Sequence, residues 1–151
     1  MSAPQNPEAQ STGWNPRSLY EKWMVSQELP IYRGHYANLP DIELAPWADH
    51  DCKAGFIYFQ GMEDLHEGRV IEIDPGKTAA PSRMALEELV YIVSGRGLCT
   101  VWAGDKEKKT FEWGEHSIFM IPPNYTYQLS NASGTTPARV TLGPLDARAP
   151  P

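Results

Sequence analysis

Ser82, Met84, Glu88 and Tyr127 carry the side chains whose types and spacing could do chemistry. The first three lie in PGKTAAPSRMALEELVYIVSGRG, from Pro75 to Gly97. That stretch reads as a turn, a short approach strand, a carboxylate, an apolar strand and a second tight turn. Side chains on a strand alternate between faces. Ser82, Met84, Glu88, Val90 and Ile92 are all even-numbered, so they point one way if the strands run unbroken. Tyr125, Tyr127 and Leu129 share a face on a later strand. The common lining is then a hydroxyl, a thioether, a carboxylate and phenols.

That set suits a divalent metal poorly. A serine hydroxyl ligates weakly unless deprotonated, and a thioether prefers copper(I) to a hard ion. A phenol with a pKa near ~10 binds mainly as phenolate. No metal and no other cofactor is therefore expected. Glu88, on an interior face, must be solvated, hydrogen-bonded or protonated. In the plainer reading Tyr127 and Ser82 satisfy it within a small polar core cluster. In the other, Glu88 is a general acid or base with a raised pKa, and Tyr127 or Ser82 is its partner.

The remaining polar candidates are few. His35 and His50 fall in a broken, aromatic segment and read as surface residues, and His116 reads as the start of a strand. His66, at a turn before EGRVIEI, is the histidine best placed to reach a ligand at a barrel mouth. With Ser82, Met84, Glu88, Tyr125 and Tyr127 it completes the expected ligand-binding set. Neither GRG nor PGK forms a phosphate loop, because no glycine-rich strand-to-helix turn surrounds them.

The elements that must position these residues are short strands. From Gly55 onward the segments FIYFQG, RVIEID, ELVYIV, LCTVWA, KKTFEW, SIFMI, YTYQLS and ARVTLG alternate with Gly-, Pro- and Asn-rich turns. Such spacing predicts an all-β chain, an antiparallel sandwich or barrel. Residues 1–16 are polar and read as a disordered arm. Residues 17–54 hold a helix and a wrapping segment, 55–142 the barrel, and 143–151 a tail. The helix is expected to be capped by Asn15 with Pro16 at its first position. Its apolar stripe would be Leu19, Trp23 and Met24, with Glu28-Leu29-Pro30 as its stop.

Composition excludes several partners. The 151 residues include 19 carboxylates against 13 Lys and Arg, for a net charge of -6. A nucleic-acid binder would show a basic face, and a membrane-surface protein a basic amphipathic one. No apolar run reaches the ~18 residues of a membrane helix, and the first residues carry no secretory pattern. Cys52 and Cys99 are too few for a disulfide framework. A reduced, cytoplasmic setting is expected.

The turn-strand-turn order resembles the cupin superfamily, small antiparallel jelly-roll β-barrels that usually hold one divalent metal. Its first motif is Gly, five residues, His-x-His, three or four residues, Glu, six residues, Gly. Here the frame runs from Gly76 through Ser82, Met84 and Glu88 to Gly95, with Ser82 and Met84 at the histidine positions. The second motif is Gly, five residues, Pro-x-Gly, two residues, His, three residues, Asn. It aligns from His116 through Pro122, Asn124 and Tyr127 to Asn131, with Tyr127 at the histidine position. Of the four ligands the family uses, only Glu88 is present. The resemblance covers roughly Gly55 to Leu142, and YEKWMVSQELPIYRG, GMEDLHEG and GRGLCTVW look like the amino-terminal half of a two-cupin protein. The resemblance implies packing into a homodimer.

Three functions follow. The leading one is a metal-free cupin barrel that binds a small organic ligand or serves as a non-catalytic partner for another barrel. The second is a metal-independent lyase, isomerase or cyclase using Glu88 and Tyr127 as acid and base. The third is a dioxygenase or decarboxylase with ligands recruited from elsewhere or from a second barrel. Fold alone does not choose among them.

Overall fold

The computed structural model describes residues 15–63 and 67–144. The expected arm, apart from Asn15 and Pro16, lies outside the described residues, as do His66 and tail residues 145–151.

Among the described residues one helix, α1 (Leu19–Ser26), precedes the strands. It starts later than expected. Ser18, not Asn15, is the cap, and its Oγ accepts the Glu21 backbone N–H at 3.0 Å. Glu21 in turn accepts from the Arg17 N–H at 2.8 Å. A serine followed three residues later by a glutamate offers this reciprocal capping, which Asn15 lacks. The later start also changes the buried face. Leu19 is 80% exposed, while Tyr20, Glu21 and Met24 are buried. Glu21 is accommodated because the Tyr58 hydroxyl donates to its carboxylate at 2.6 Å.

Eleven strands follow: β1 (Ile31–Tyr32), β2 (Ala45–Trp47), β3 (Cys52–Ile57), β4 (Gly68–Ile73), β5 (Ser82–Arg83), β6 (Glu88–Ser94), β7 (Gly97–Trp102), β8 (Lys109–Trp113), β9 (Ile118–Ile121), β10 (Thr126–Asn131) and β11 (Ala138–Pro144). They form two sheets. The larger runs β1-β3-β4-β11-β6-β9, with β2 also paired to β3, and the smaller runs β5-β10-β7-β8. All pairs are antiparallel except β1 with β3. Seven of the eight segments read as strands are found in place; the first, FIYFQG, is displaced, because the strand runs Cys52–Ile57 and only Phe56 and Ile57 of that segment belong to it. The wrapping segment adds β1 and β2 to the edge of the larger sheet, and Ala48–His50 forms a short 3-10 turn after β2.

The inner faces of the two sheets share one core. Ile71, Ile73, Val90, Ile92, Leu129, Val140 and Leu142 are buried there. Val70, one residue out of step with Ile71, instead joins Ile42 and Ile57 beneath the wrapping segment. The chain passes between sheets after Arg83, so β5 and β6 are not one continuous strand. Ser82 and Glu88 nevertheless both face inward.

The four turn positions of the two motifs share one backbone conformation. Gly76 and Gly95 have φ of 69° and 94°, and His116 and Asn124, at the other two glycine positions, have φ of 68° and 65°. Left-handed backbone is easy for glycine and tolerable for Asn and His. The two motifs are also clasped together. Gly76 N–H donates to the Ser133 carbonyl at 2.7 Å. The Asn131 amide donates to the carbonyls of Ile73 at 3.0 Å and Thr136 at 2.8 Å.

Candidate functional site

Strand β4 supplies the centre of the site. Alternation places Arg69 on the same face as Ile71 and Ile73, inside the barrel, where it is 5% exposed. Its Nη2 lies 2.6 Å from Oε2 of Glu88, the first residue of β6, which is fully buried. Tyr127 on β10 reaches the same carboxylate. Its hydroxyl donates toward both Glu88 oxygens at 3.2 Å and lies 3.5 Å from Arg69 Nη2. Behind Arg69, its Nη1 lies 3.6 Å from Oε1 of Glu67, whose side chain is fully enclosed.

The electrostatics follow from these distances. Burial would favour a neutral Arg69, but the carboxylates of Glu88 and Glu67 hold it protonated, with its pKa raised well above the ordinary arginine value. Burial raises the Tyr127 pKa, and the Glu88 charge raises it further. The phenol is therefore a donor, not a base, at neutral pH. Burial also raises Glu67, although Arg69 opposes the shift. The Tyr20 hydroxyl from α1, both Glu67 oxygens and Arg69 Nη1 are buried without an aligned hydrogen bond.

A cavity of about 70 Å³ opens above this cluster, between α1, the segment after β2 and the inner faces of β4 and β10. Arg69 and Tyr127 border it, Ser82 and Met84 flank it, and Trp23 and Trp47 cover it. His50 completes the rim, stacked on Trp47 with ring centroids 3.5 Å apart. Burial and the nearby Arg69 charge lower the His50 pKa, so its imidazole is neutral at physiological pH. Its Nδ1 is buried and makes no hydrogen bond. The Cys52 thiol on the same wall is raised by burial to about 11.

The structure brings Ser82, Met84 and Tyr127 to one cavity. It sets Glu88 behind them, joined to Tyr127 but not part of the cavity wall. Tyr125 is half-buried, packs against the core and does not line the cavity. His66 lies outside the described residues. Arg69, Glu67, Trp23, Trp47 and His50 are additions that sequence reasoning missed. For Arg69 a signal existed: in RVIEI the arginine falls in step with two isoleucines. His50, expected at the surface, borders the cavity because the 3-10 turn after β2 carries it there.

A metal of the kind the motifs imply does not fit this donor set. Ser82 and Met84 offer a hydroxyl and a thioether, Tyr127 offers a phenol with a raised pKa, and the one carboxylate is ion-paired to a guanidinium. Among the described residues, no group of three or more His, Cys, Asp or Glu converges closely enough to hold an ion.

No protein-family model and no curated protein matches the sequence. Solved structures do. The Bacillus subtilis oxalate decarboxylase superposes with a TM-score of 0.62 at 17% identity, covering 76% of this chain and 30% of that one. The Schizosaccharomyces pombe Cnp3 cupin domain gives 0.58 at 18% identity, covering 72% and 71%. The vicilin of Capsicum annuum gives 0.58 at 16% identity, covering 66% and 29%. The chain thus spans under a third of the length of the vicilin and of the decarboxylase. The architecture is an all-β jelly-roll barrel, and the chain has the cupin fold.

Proposed function

We propose that this chain is a metal-free cupin-fold module that binds a small organic ligand in its barrel. The observation that carries the reading is the Arg69–Glu88 ion pair. A fixed guanidinium stands beside two of the four motif positions and occupies the carboxylate a metal would need. The cavity above it keeps the place of a ligand site, with an apolar wall and a few hydrogen-bonding groups.

The acid–base reading has less support. Glu88 is buried beneath Tyr127 and Arg69, and the phenol of Tyr127 holds its proton too tightly to act as a base near neutral pH. A role as partner to a second barrel is supported by β9, an edge strand with Ile118 and Met120 exposed at 64% and 48%. A homodimer is the simplest such assembly, and light scattering of wild type against Ile118→Lys tests it. Two free thiols, Cys52 and Cys99, suit a reducing, cytoplasmic setting. Among the described residues no helix is long and apolar enough to cross a membrane.

Metal analysis of protein purified without chelator tests the central reading. Well under one equivalent of iron, manganese, zinc, nickel or copper is expected. A stoichiometric ion removed by Glu88→Gln would overturn it.

A further inference from the structure

We propose that the cavity selects a small uncharged ligand with an apolar body and one hydrogen-bonding group, and rejects carboxylates despite its arginine. The inference rests on the reading of the barrel as a ligand-binding module.

Charge decides the class. Among the described residues, Arg69 is the one side chain of formal charge on the cavity wall, because His50 is neutral. Its cation is already committed: Nη2 to Glu88 at 2.6 Å, with Nη1 facing Glu67 at 3.6 Å. One guanidinium against two carboxylates gives a cluster that is net negative, or neutral when Glu67 is protonated. It is positive in neither state. An incoming anion adds a further buried negative charge beside two carboxylates that already share one guanidinium. An incoming cation meets the guanidinium itself. A neutral molecule leaves the pair intact.

Shape and polarity narrow the class further. Trp23, Trp47, Leu129 and Leu142 form an apolar wall suited to a hydrocarbon or aromatic body. His50, whose neutral imidazole borders the cavity, offers a hydrogen-bonding side chain at the rim. A volume of about 70 Å³, at roughly 10–15 Å³ per water position, holds about five waters. The fitting ligand has about four to eight non-hydrogen atoms, the size of a small cyclic alcohol, ketone or phenol.

The test is a titration of the full chain at fixed ionic strength and neutral pH, read by the indole N–H resonances of Trp23 and Trp47. Phenol and cyclohexanol are the neutral probes, acetate and oxalate the anions, and tetramethylammonium the cation. Saturable shifts are expected for the neutral probes, with at least tenfold weaker binding of the ions. Nuclear Overhauser contacts from probe to indole protons locate the site without mutation, and Ala80→Phe should abolish the shifts by filling the mouth. Acetate or oxalate binding as tightly as phenol would overturn the neutral-ligand inference and leave the binding reading intact. If no probe of any charge gives a saturable shift, the binding reading itself fails.

Discussion

Arg69 and Glu88 meet at 2.6 Å across the interior of the barrel, from strands that are not neighbours in the sheet. Strand β11 lies between β4 and β6, so the two side chains join over its inner face. Such a pair does not by itself stabilise a fold, because desolvation offsets the attraction. Breaking it is another matter. Arg69→Met should destabilise the protein by about 3–5 kcal/mol, since Glu88 is left buried without a cation. Adding Glu88→Leu should recover much of that loss. Urea unfolding of wild type, single and double variants measures both. Equal stability of Arg69→Met and wild type would show that the pair is not formed.

The same pair should oppose metal binding, because it engages the one carboxylate of the motif positions. The triple variant Ser82→His, Met84→His and Tyr127→His supplies the three missing imidazoles, yet Arg69 still holds the Glu88 carboxylate. It should bind zinc or cobalt weakly. Adding Arg69→Ala removes the competing cation and should raise affinity by at least tenfold, about 1.4 kcal/mol. Cobalt(II) absorption spectra and competition with a chromophoric chelator read the result. Tight binding by the triple variant alone would mean that the guanidinium is no obstacle.

Much of the scaffold was legible because strand alternation and turn chemistry are local. Seven of the eight strand segments, and the facing of Glu88 with Val90 and Ile92 and of Tyr127 with Leu129, follow from period-two patterning. The turn spacing was legible even where residues differ: His116 and Asn124 hold the left-handed conformation expected of motif glycines. What stayed hidden was set by long-range packing. Arg69 pairs with Glu88 over 19 positions and nears Tyr127 over 58. No local pattern states which buried acid an arginine will meet. The buried face of α1 was misjudged for a different reason. Moving the cap from Asn15 to Ser18 goes with a buried face of Tyr20 and Met24 in place of one led by Leu19.

Asn131 ties the end of the second motif to the start of the first. Its amide nitrogen donates to the carbonyls of Ile73, Asp74 and Thr136, and its Oδ1 accepts the Ser133 N–H at 2.8 Å. Asn131→Asp preserves the shape and removes the donors, setting a carboxylate against three carbonyl oxygens. The cost should be about 2–4 kcal/mol, several times that of an exposed polar substitution. Thermal unfolding reads the loss, and hydrogen exchange should show it concentrated at Gly76 and Lys77, whose amide or carbonyl the clasp engages. A change below 1 kcal/mol would mean that the clasp is held by the backbone alone.

Glu67 makes stability depend on pH. Burial raises its folded pKa above the ordinary 4.5, and Glu88 adds to that rise, while Arg69 and the Tyr20 hydroxyl oppose it. The sign follows from proton binding. Below about 4.5 the carboxyl is protonated in both folded and unfolded chains, and its burial is tolerated. As pH rises, the unfolded chain releases its proton first, so the folded state loses relative stability until its own raised pKa is passed. Glu67→Gln removes the titration and keeps the shape. The variant should therefore gain on wild type as pH increases from about 4.5 and hold a constant advantage above the folded pKa. Urea midpoints from pH 4 to 8 measure this difference. A wild type that gains stability relative to Glu67→Gln over that range would show that Arg69 outweighs burial and holds Glu67 ionised.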